Sequence, residues 1–203
     1  MSVEAAVGES AVSFREIRYH ADNRCQLEEL LTRAKSGDLE AFEQIVMMHE
    51  KRVLLTARRI LGNLEDAEDA SQEVLVRLHR YLHRFEDGRE FAPWLYRMTV
   101  NVCRDLLRKR PAKISLDAVP DVAVNDRPDQ RLGEQEMRRI LLAGLEQLTA
   151  GERAAVVLRD IEGLSTGEVA EALQTSQVTV RSHICRARLK LKSFVDACLR
   201  RQS

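Results

Sequence analysis

Residues 164–192 constrain the fold more than any other part of the chain. Ser165 followed by Glu168 is typical of a capping box, in which a hydroxyl and a carboxylate satisfy backbone amides at a helix start. Apolar residues follow at helical spacing until residues 174–176 interrupt them, and Ser176 is a candidate cap for a second helix. That helix would bury one face, formed by Val180, Ile184, Ala187 and Leu191. The pattern predicts a helix, a tight turn and a second helix, an arrangement that can place the second helix in the DNA major groove.

The second of these helices is locally basic in a chain that is neutral overall. The sequence has 32 Lys and Arg against 32 Asp and Glu, but residues 181–201 contain seven basic side chains and one acidic one, Asp196. A basic run at the end of a chain is often only a solvated surface. Here the helix–turn–helix pattern upstream favours phosphate contact instead. The side chains expected to face outward are polar or basic: Thr179, Ser182, His183 and Arg186.

Composition predicts an all-α protein. The chain has 203 residues, of which 44% are hydrophobic, with only nine glycines and four prolines. No apolar run is long enough to span a bilayer and residues 1–25 do not form a secretory signal, so we expect a cytoplasmic protein. The four cysteines are scattered without CxxC spacing, which disfavours a zinc site, and we expect no metal or cofactor.

Three of the four prolines fall within residues 111–131, where no helical period persists. We therefore expect two small helical domains, residues 26–110 and 132–203, joined by a flexible linker at residues 111–131. Residues 1–25 are an N-terminal extension that could be disordered.

The third predicted helix of the first domain has an acidic face. Residues 65–73 contain five carboxylates and no basic residue. Acidic residues near a helix start complement the helix dipole, but this accounts for only some of the five. The remainder suggests a basic partner surface. At helical spacing, Asp66, Asp69 and Glu73 share one face, extended by Gln72.

Aromatic residues concentrate before the basic fourth helix. Five of the nine aromatics lie between residues 81 and 96, and Arg97, Asn101, Arg104 and Arg108 follow. Aromatic faces beside cations are typical of proteins that bind single-stranded nucleic acid. Ordinary core packing of the same rings is the alternative, and the sequence leaves both open.

Three runs in this order resemble bacterial alternative sigma factors of the extracytoplasmic function group, within the sigma-70 family. They are DAEDASQEV at residues 66–74, WLYRMTVN at residues 94–101, and the helix–turn–helix at residues 163–188. The resemblance covers about residues 26–110 and 132–195. It implies a protein that binds core RNA polymerase, recognises promoter DNA and has no active site of its own.

The resemblance also implies roles for particular residues. Four residues would contact the β′ clamp helices of core polymerase: Asp66, Asp69, Gln72 and Glu73. The β subunit would be a further partner. The melted −10 element would be contacted by Phe85, Phe91, Asn101, Arg104 and Arg108. The duplex −35 element would be read by Arg181, His183 and Arg186, with Thr179 and Ser182 nearer the phosphates. Such proteins are commonly held inactive by an anti-sigma factor, and no small-molecule substrate is expected.

His183 and Cys185 depart from the family pattern, which often has Arg and a larger apolar or aromatic residue there. Because His cannot make a bidentate guanine contact, the −35 sequence could differ from that of relatives. An alternative interpretation is a helix–turn–helix regulator that acts without polymerase, but it leaves the acidic and aromatic features unexplained. An enzyme is disfavoured because the sequence has no phosphate-binding Gly loop, nucleophile elbow or paired His.

Overall fold

The computed structural model describes residues 14–109 and 132–202, and over these ranges the chain is helical with no strand. The predicted all-α class is confirmed. The helices are α1 (Phe14–Lys35), α2 (Leu39–Leu61), α3 (Leu64–Tyr81), α4 (Phe91–Lys109), α5 (Leu132–Glu146), α6 (Ala150–Val156), α7 (Thr166–Leu173) and α8 (Gln177–Gln202). A 3₁₀ turn, Leu82–Arg84, follows α3, and a π-helical segment, Val157–Ile161, extends α6.

Local capping chemistry sets the boundary between α2 and α3. Gly62 ends α2 in the left-handed conformation, with φ of 86°, and its N–H donates to the carbonyl of Arg58. The side chain of Asn63 then accepts a hydrogen bond from the amide of Asp66 and starts α3. Two helices are thereby joined with almost no loop.

The first helix begins earlier than the sequence predicts. It starts at Phe14 rather than near Gln26, so it includes residues 14–25 of the N-terminal extension. Residues 1–13 and residues 110–131, which include the whole predicted linker, lie outside the described residues.

Two capping boxes start helices of the second domain, and one of them is the predicted pair Ser165 and Glu168. Thr149 and Glu152 start α6, and Ser165 and Glu168 start α7, each pair exchanging hydrogen bonds with the other's backbone amide. Between these helices the chain widens into the π-helical segment, where the N–H of Glu162 donates to the carbonyl of Val157 at 3.0 Å. Gly163 has φ of 80° and turns the chain towards α7.

The two domains pack against each other rather than lying apart. One apolar cluster runs from α2, α3 and α4 into α6, α7 and α8, and includes Ile45, Val74, Val100, Leu158 and Val180. Helix α4 contacts α7 directly, and α2 contacts α6. The sequence predicts two domains but not this arrangement, in which α7 covers the fourth helix of the first domain. None of the helices within residues 14–109 and 132–202 has the length and apolar character of a membrane span.

Candidate nucleic-acid interface

The exposed face of α8 is the basic surface that the sequence predicts. Ser176 caps the helix, because its hydroxyl accepts from the amide of Thr179 at 3.1 Å. Arg181 and Ser182 are exposed. The guanidinium of Arg186 donates to the hydroxyl of Ser182 at 2.8 Å and so lies along the helix surface. Val180, Ile184 and Ala187 are buried beneath this face, which fixes the direction in which it points.

His183 is less exposed than the sequence predicts. Its ring is half-buried and packs against Gly151 at the start of α6, where a Cβ atom would lie 3.2 Å from Nε2. Within the described part of the chain, the buried Nδ1 has no hydrogen-bond partner. His183 therefore faces outward only in part, because the close approach of α6 and α8 covers one side of the ring.

The acidic face of α3 is presented to solvent. Asp69, Gln72 and Glu73 are exposed, while Ala70 and Val74 on the opposite side are buried. Glu73 accepts a hydrogen bond from Arg77 at 2.6 Å. Asp66 is half-buried, and its carboxylate accepts from the side chain of Asn63 at 2.8 Å. The structure thus brings the four predicted residues together on the first three turns of α3.

The aromatic residues before α4 form a packed cluster. Phe85 and Phe91 are only 5% and 4% exposed, and their ring centroids lie 5.4 Å apart in an edge-to-face contact. Trp94 packs on both rings, and His49 lies 5.1 Å from Phe91. In this conformation the two phenylalanine rings are not stacking surfaces, so their expected direct contact with melted DNA is replaced by a packing role. The rings support the loop from Glu86 to Glu90, which is exposed.

Burial also changes the titration of His49. Its removal from solvent, with a smaller effect from the charge of Arg52, lowers the pKa of His49 to about 4. The ring is therefore neutral at physiological pH. Within the described residues its buried Nε2 has no hydrogen-bond partner, so the imidazole packs as an apolar member of the aromatic cluster.

Lys35 holds the exposed loop from Glu86 to Glu90 in place, a role that the sequence does not reveal. Its ammonium donates to the carbonyl of Phe85 and to the carboxylate of Asp87, both at 2.5 Å. It also lies 5.3 Å from the centroid of the Phe85 ring, within the range of a cation–π contact. The last residue of α1 thus holds a loop fifty residues further along the chain.

The polar residues of α4 make contacts within the protein. Arg104 is exposed but donates to the carbonyl of Leu173 at the end of α7, at 3.2 Å. Arg108 pairs with Asp105 one turn away, and Asn101 is half-buried. The polar residues expected at the −10 element therefore lie on one helix, but the second domain covers part of that surface.

A buried carboxylate joins the two domains. Glu162, whose side chain is 3% exposed, lies between the π-helical segment and α7 and reaches into the first domain. One oxygen accepts from Thr56 at 2.7 Å and from Arg59 at 2.9 Å. The other accepts from the hydroxyl of Tyr96 at 2.5 Å and from Arg52 at 3.3 Å. Sequence reasoning missed this contact, because one Glu before Gly163 looks like an ordinary turn residue.

Burial changes the pKa values of two side chains on α4, Tyr96 and Cys103. Burial first, and then the hydrogen bond to Glu162, raise the pKa of Tyr96 well above its usual value, so its hydroxyl remains a donor. Burial also raises the pKa of the Cys103 thiol to about 12, which makes it an apolar core group. Residues 14–109 and 132–202 hold no group of three His, Cys, Asp or Glu side chains placed to bind a metal ion.

Comparison with known proteins defines the class to which this architecture belongs. Residues 45–112 match the family model for sigma-70 region 2, and residues 138–191 match the model for sigma-70 region 4. The first model covers most of α2 and all of α3 and α4, with the acidic face and the aromatic cluster, and the second covers the helix–turn–helix.

Individual relatives narrow this class. The chain is 30% identical to the ECF RNA polymerase sigma-E factor of Escherichia coli over 85% of its own length and 95% of that protein. It is 36% identical to the ECF RNA polymerase sigma factor SigE of Mycolicibacterium smegmatis, but spans only 62% of that longer protein. Among solved structures, CnrH in complex with the cytosolic domain of CnrY is similar at 31% identity with a TM-score of 0.64, over 85% of this chain and 98% of that one.

The chain therefore belongs to the extracytoplasmic function group of RNA polymerase sigma factors. It is an alternative sigma factor that acts with RNA polymerase, and members of this family are transcription initiation factors.

Proposed function

We propose that this sigma factor binds core polymerase through the exposed face of α3 and promoter DNA through α4 and α8. The observation that carries the proposal is the separation of charge on exposed surfaces. Asp69, Gln72 and Glu73 face solvent on the first domain, whereas Arg181 and Arg186 face solvent on the second. An acidic face suits a basic protein partner, and a basic helix suits phosphates.

The second domain is suited to the duplex −35 element. A capped, exposed helix that rests on a buried apolar face can enter the major groove as a rigid body. Arg181 and Arg186 are the groups that would reach guanine edges, with Thr179 and Ser182 closer to the backbone. His183 would contribute only its exposed edge, because Gly151 covers the rest of the ring.

The first domain is suited to the −10 element. Asn101, Arg104 and Arg108 lie on α4, and the loop from Glu86 to Glu90, held by Lys35, leads into the start of this helix. The buried rings of Phe85 and Phe91 would give this loop a rigid base, so that it can receive an unstacked base at lower cost. Unstacking costs a few kcal/mol, which cations and a preformed loop would offset.

The partners follow from the same assignment. The β′ clamp helices and the β subunit of core polymerase would form the protein contacts, and nucleotide addition would belong to the polymerase alone. The similarity to CnrH, solved with the cytosolic domain of CnrY, supports control by an anti-sigma partner. A protein with these partners would act in the cytoplasm, and the proposed interactions need no cofactor or small-molecule substrate.

Charge reversal on α3 tests the polymerase assignment. Asp69→Lys, alone or with Asp66→Lys, should weaken binding to core polymerase about tenfold or more, because like charges would then face each other across the interface. Asp69→Lys alone is the cleaner change, since Asp66 also takes part in the start of α3. The measurement is a binding titration with core polymerase, with circular dichroism to verify the fold.

A matched control has the same charge change elsewhere on the first domain. Glu43→Lys combined with Glu50→Lys alters two exposed carboxylates of α2. This variant should bind core polymerase as the wild type does. Equal weakening by both pairs would show that only net charge matters, and unchanged affinity of the α3 variants would remove α3 from the interface.

A further inference from the structure

We propose that Glu162 is a latch that closes the second domain over the promoter-facing side of the first. Its receptor, here termed the carboxylate socket, consists of Arg52, Thr56 and Arg59 on α2 and Tyr96 on α4. While Glu162 occupies the socket, α7 lies against arginines of the first domain and competes with DNA for them. The DNA part of this inference rests on the proposed −10 contacts of α4.

The socket is a built site for a carboxylate. Each oxygen of Glu162 accepts two hydrogen bonds, at distances from 2.5 to 3.3 Å. Thr56 and Tyr96 are 0% and 3% exposed, so their hydroxyls are held in place by the surrounding core. Two guanidinium groups supply the opposite charge. A carboxylate without its partners would be costly to bury at this depth, so the socket and its ligand depend on each other.

Closure at the socket brings α7 onto the promoter-facing arginines. Arg104 donates to the carbonyl of Leu173 at 3.2 Å. The guanidinium groups of Arg89 and Arg97 both lie 3.8 Å from the carboxylate of Glu171. Helix α7 therefore offers oxygen acceptors to groups that a DNA backbone would also engage.

The same contact partly encloses Trp94. This ring lines a cavity of about 300 Å³ between the domains, together with Pro93, Arg97, Glu171 and Ala172. A DNA strand on this side of α4 and the α7 helix cannot both occupy that space. Binding of the −10 strand therefore requires the domains to separate.

The chemistry of the interface suits a contact that opens. Arginines of the first domain pair with Glu162 and Glu171 and donate to the carbonyl of Leu173. Water or phosphate can replace each of these polar contacts. The continuous apolar cluster holds the closed form together, and the polar contacts decide how readily it opens, as in other interfaces between domains of one chain. Removing the charge of Glu162 should shift the population towards the open form.

Glu162→Gln in the full chain is the direct test. Glutamine keeps the size of the side chain but loses its charge and presents an amide to donors that need an acceptor. Trp94 is the only tryptophan of the chain, so quenching of its fluorescence by acrylamide reports whether the cavity has opened. We expect the quenching constant to rise about twofold and affinity for a single-stranded −10 oligonucleotide to rise at least about threefold.

Glu152→Gln is the matched control. Glu152 is also buried, at 3% exposed, but its partners Thr149 and Lys190 belong to the second domain. This variant loses a buried carboxylate without touching the socket, so Trp94 quenching and oligonucleotide affinity should stay at wild-type values. Tyr96→Phe removes one hydrogen bond and keeps the ring, and it should shift both quantities in the direction of Glu162→Gln by a smaller amount.

Each outcome decides the proposal. Unchanged quenching in both Glu162→Gln and Tyr96→Phe would overturn the latch, and quenching that rises without a gain in affinity would overturn the competition with DNA. If Glu162→Gln loses helical structure by circular dichroism, the Tyr96→Phe result decides. The quenching measurement contains no DNA or polymerase, so it can fail or succeed independently of the proposed promoter contacts.

Discussion

The two domains present their expected DNA-binding groups in different ways. On the second domain, Arg181 and Ser182 are exposed on a helix whose opposite face is buried. On the first, Arg104 is engaged by α7, and the rings of Phe85 and Phe91 lie in the core.

This difference follows from the two forms of DNA that the domains are proposed to bind. A helix that enters the groove of a duplex needs only an exposed face and a rigid support. A surface that receives a separated strand has to be assembled and then uncovered, because unpaired bases need both a pocket and cations. The structure therefore suggests that access is controlled at the first domain, while the second domain is ready to bind.

Among the predicted changes, we expect the largest from a substitution in the packed aromatic cluster, which should lower the stability of the protein. Phe91→Ala should lower the free energy of unfolding by about 3–5 kcal/mol, because it removes a buried ring that contacts Phe85, Trp94 and His49. Urea denaturation measures this loss. Phe91→Leu retains most of the volume and should keep both stability and strand binding. A Phe91→Leu protein that is stable but has lost strand binding would restore the stacking role.

We expect acid to lower the stability of the first domain because of His49. The folded pKa of about 4 lies below the ordinary value of 6.5, so between these values the unfolded chain takes up a proton that the folded chain excludes. Stability is unaffected by His49 above pH 6.5 and falls as the pH drops towards 4, by roughly 3 kcal/mol in total. Unfolding free energies measured at pH 7 and pH 4.5 would show the loss.

Two histidine variants isolate this effect. His49→Gln should flatten the pH dependence, whereas His79→Gln should preserve it, because His79 is exposed on α3. An equally steep pH dependence in His49→Gln would assign the acid sensitivity to another group.

We expect the smallest of the three effects from substitutions on the exposed face of α8, which should weaken DNA recognition. Arg181→Ala or Arg186→Ala should cost roughly 1–3 kcal/mol in recognition of the −35 duplex, without a change in stability. Arg200→Ala, on the same helix but near its end, provides the comparison. Transcription from a promoter that depends on its −35 element is the measurement. Wild-type levels from both Arg181→Ala and Arg186→Ala would show that α8 does not read this element.

How much the sequence predicts depends on the range of the interaction. The caps at Ser165, Thr149 and Asn63 were predictable, because a cap and its amide lie within three residues of each other. The exposed faces of α3 and α8 were predictable too, since helical periodicity separates the buried stripe from the rest.

The features that escaped prediction join residues far apart in the chain. Lys35 and Phe85 are separated by 50 positions, and Tyr96 and Glu162 by 66. The burial of Phe85 and the partial burial of His183 have the same origin, because a neighbouring helix covers each of them. Periodicity within one helix cannot indicate which other helix will pack on it, so contacts between the domains needed the structure.

Reconstituted transcription tests the central claim most directly. Core RNA polymerase, a promoter template and this protein should together give transcripts from a defined start site, and omission of either protein should abolish them. Identical start-site selection with and without the chain would contradict the account, because no surface described above would then direct the polymerase to a promoter.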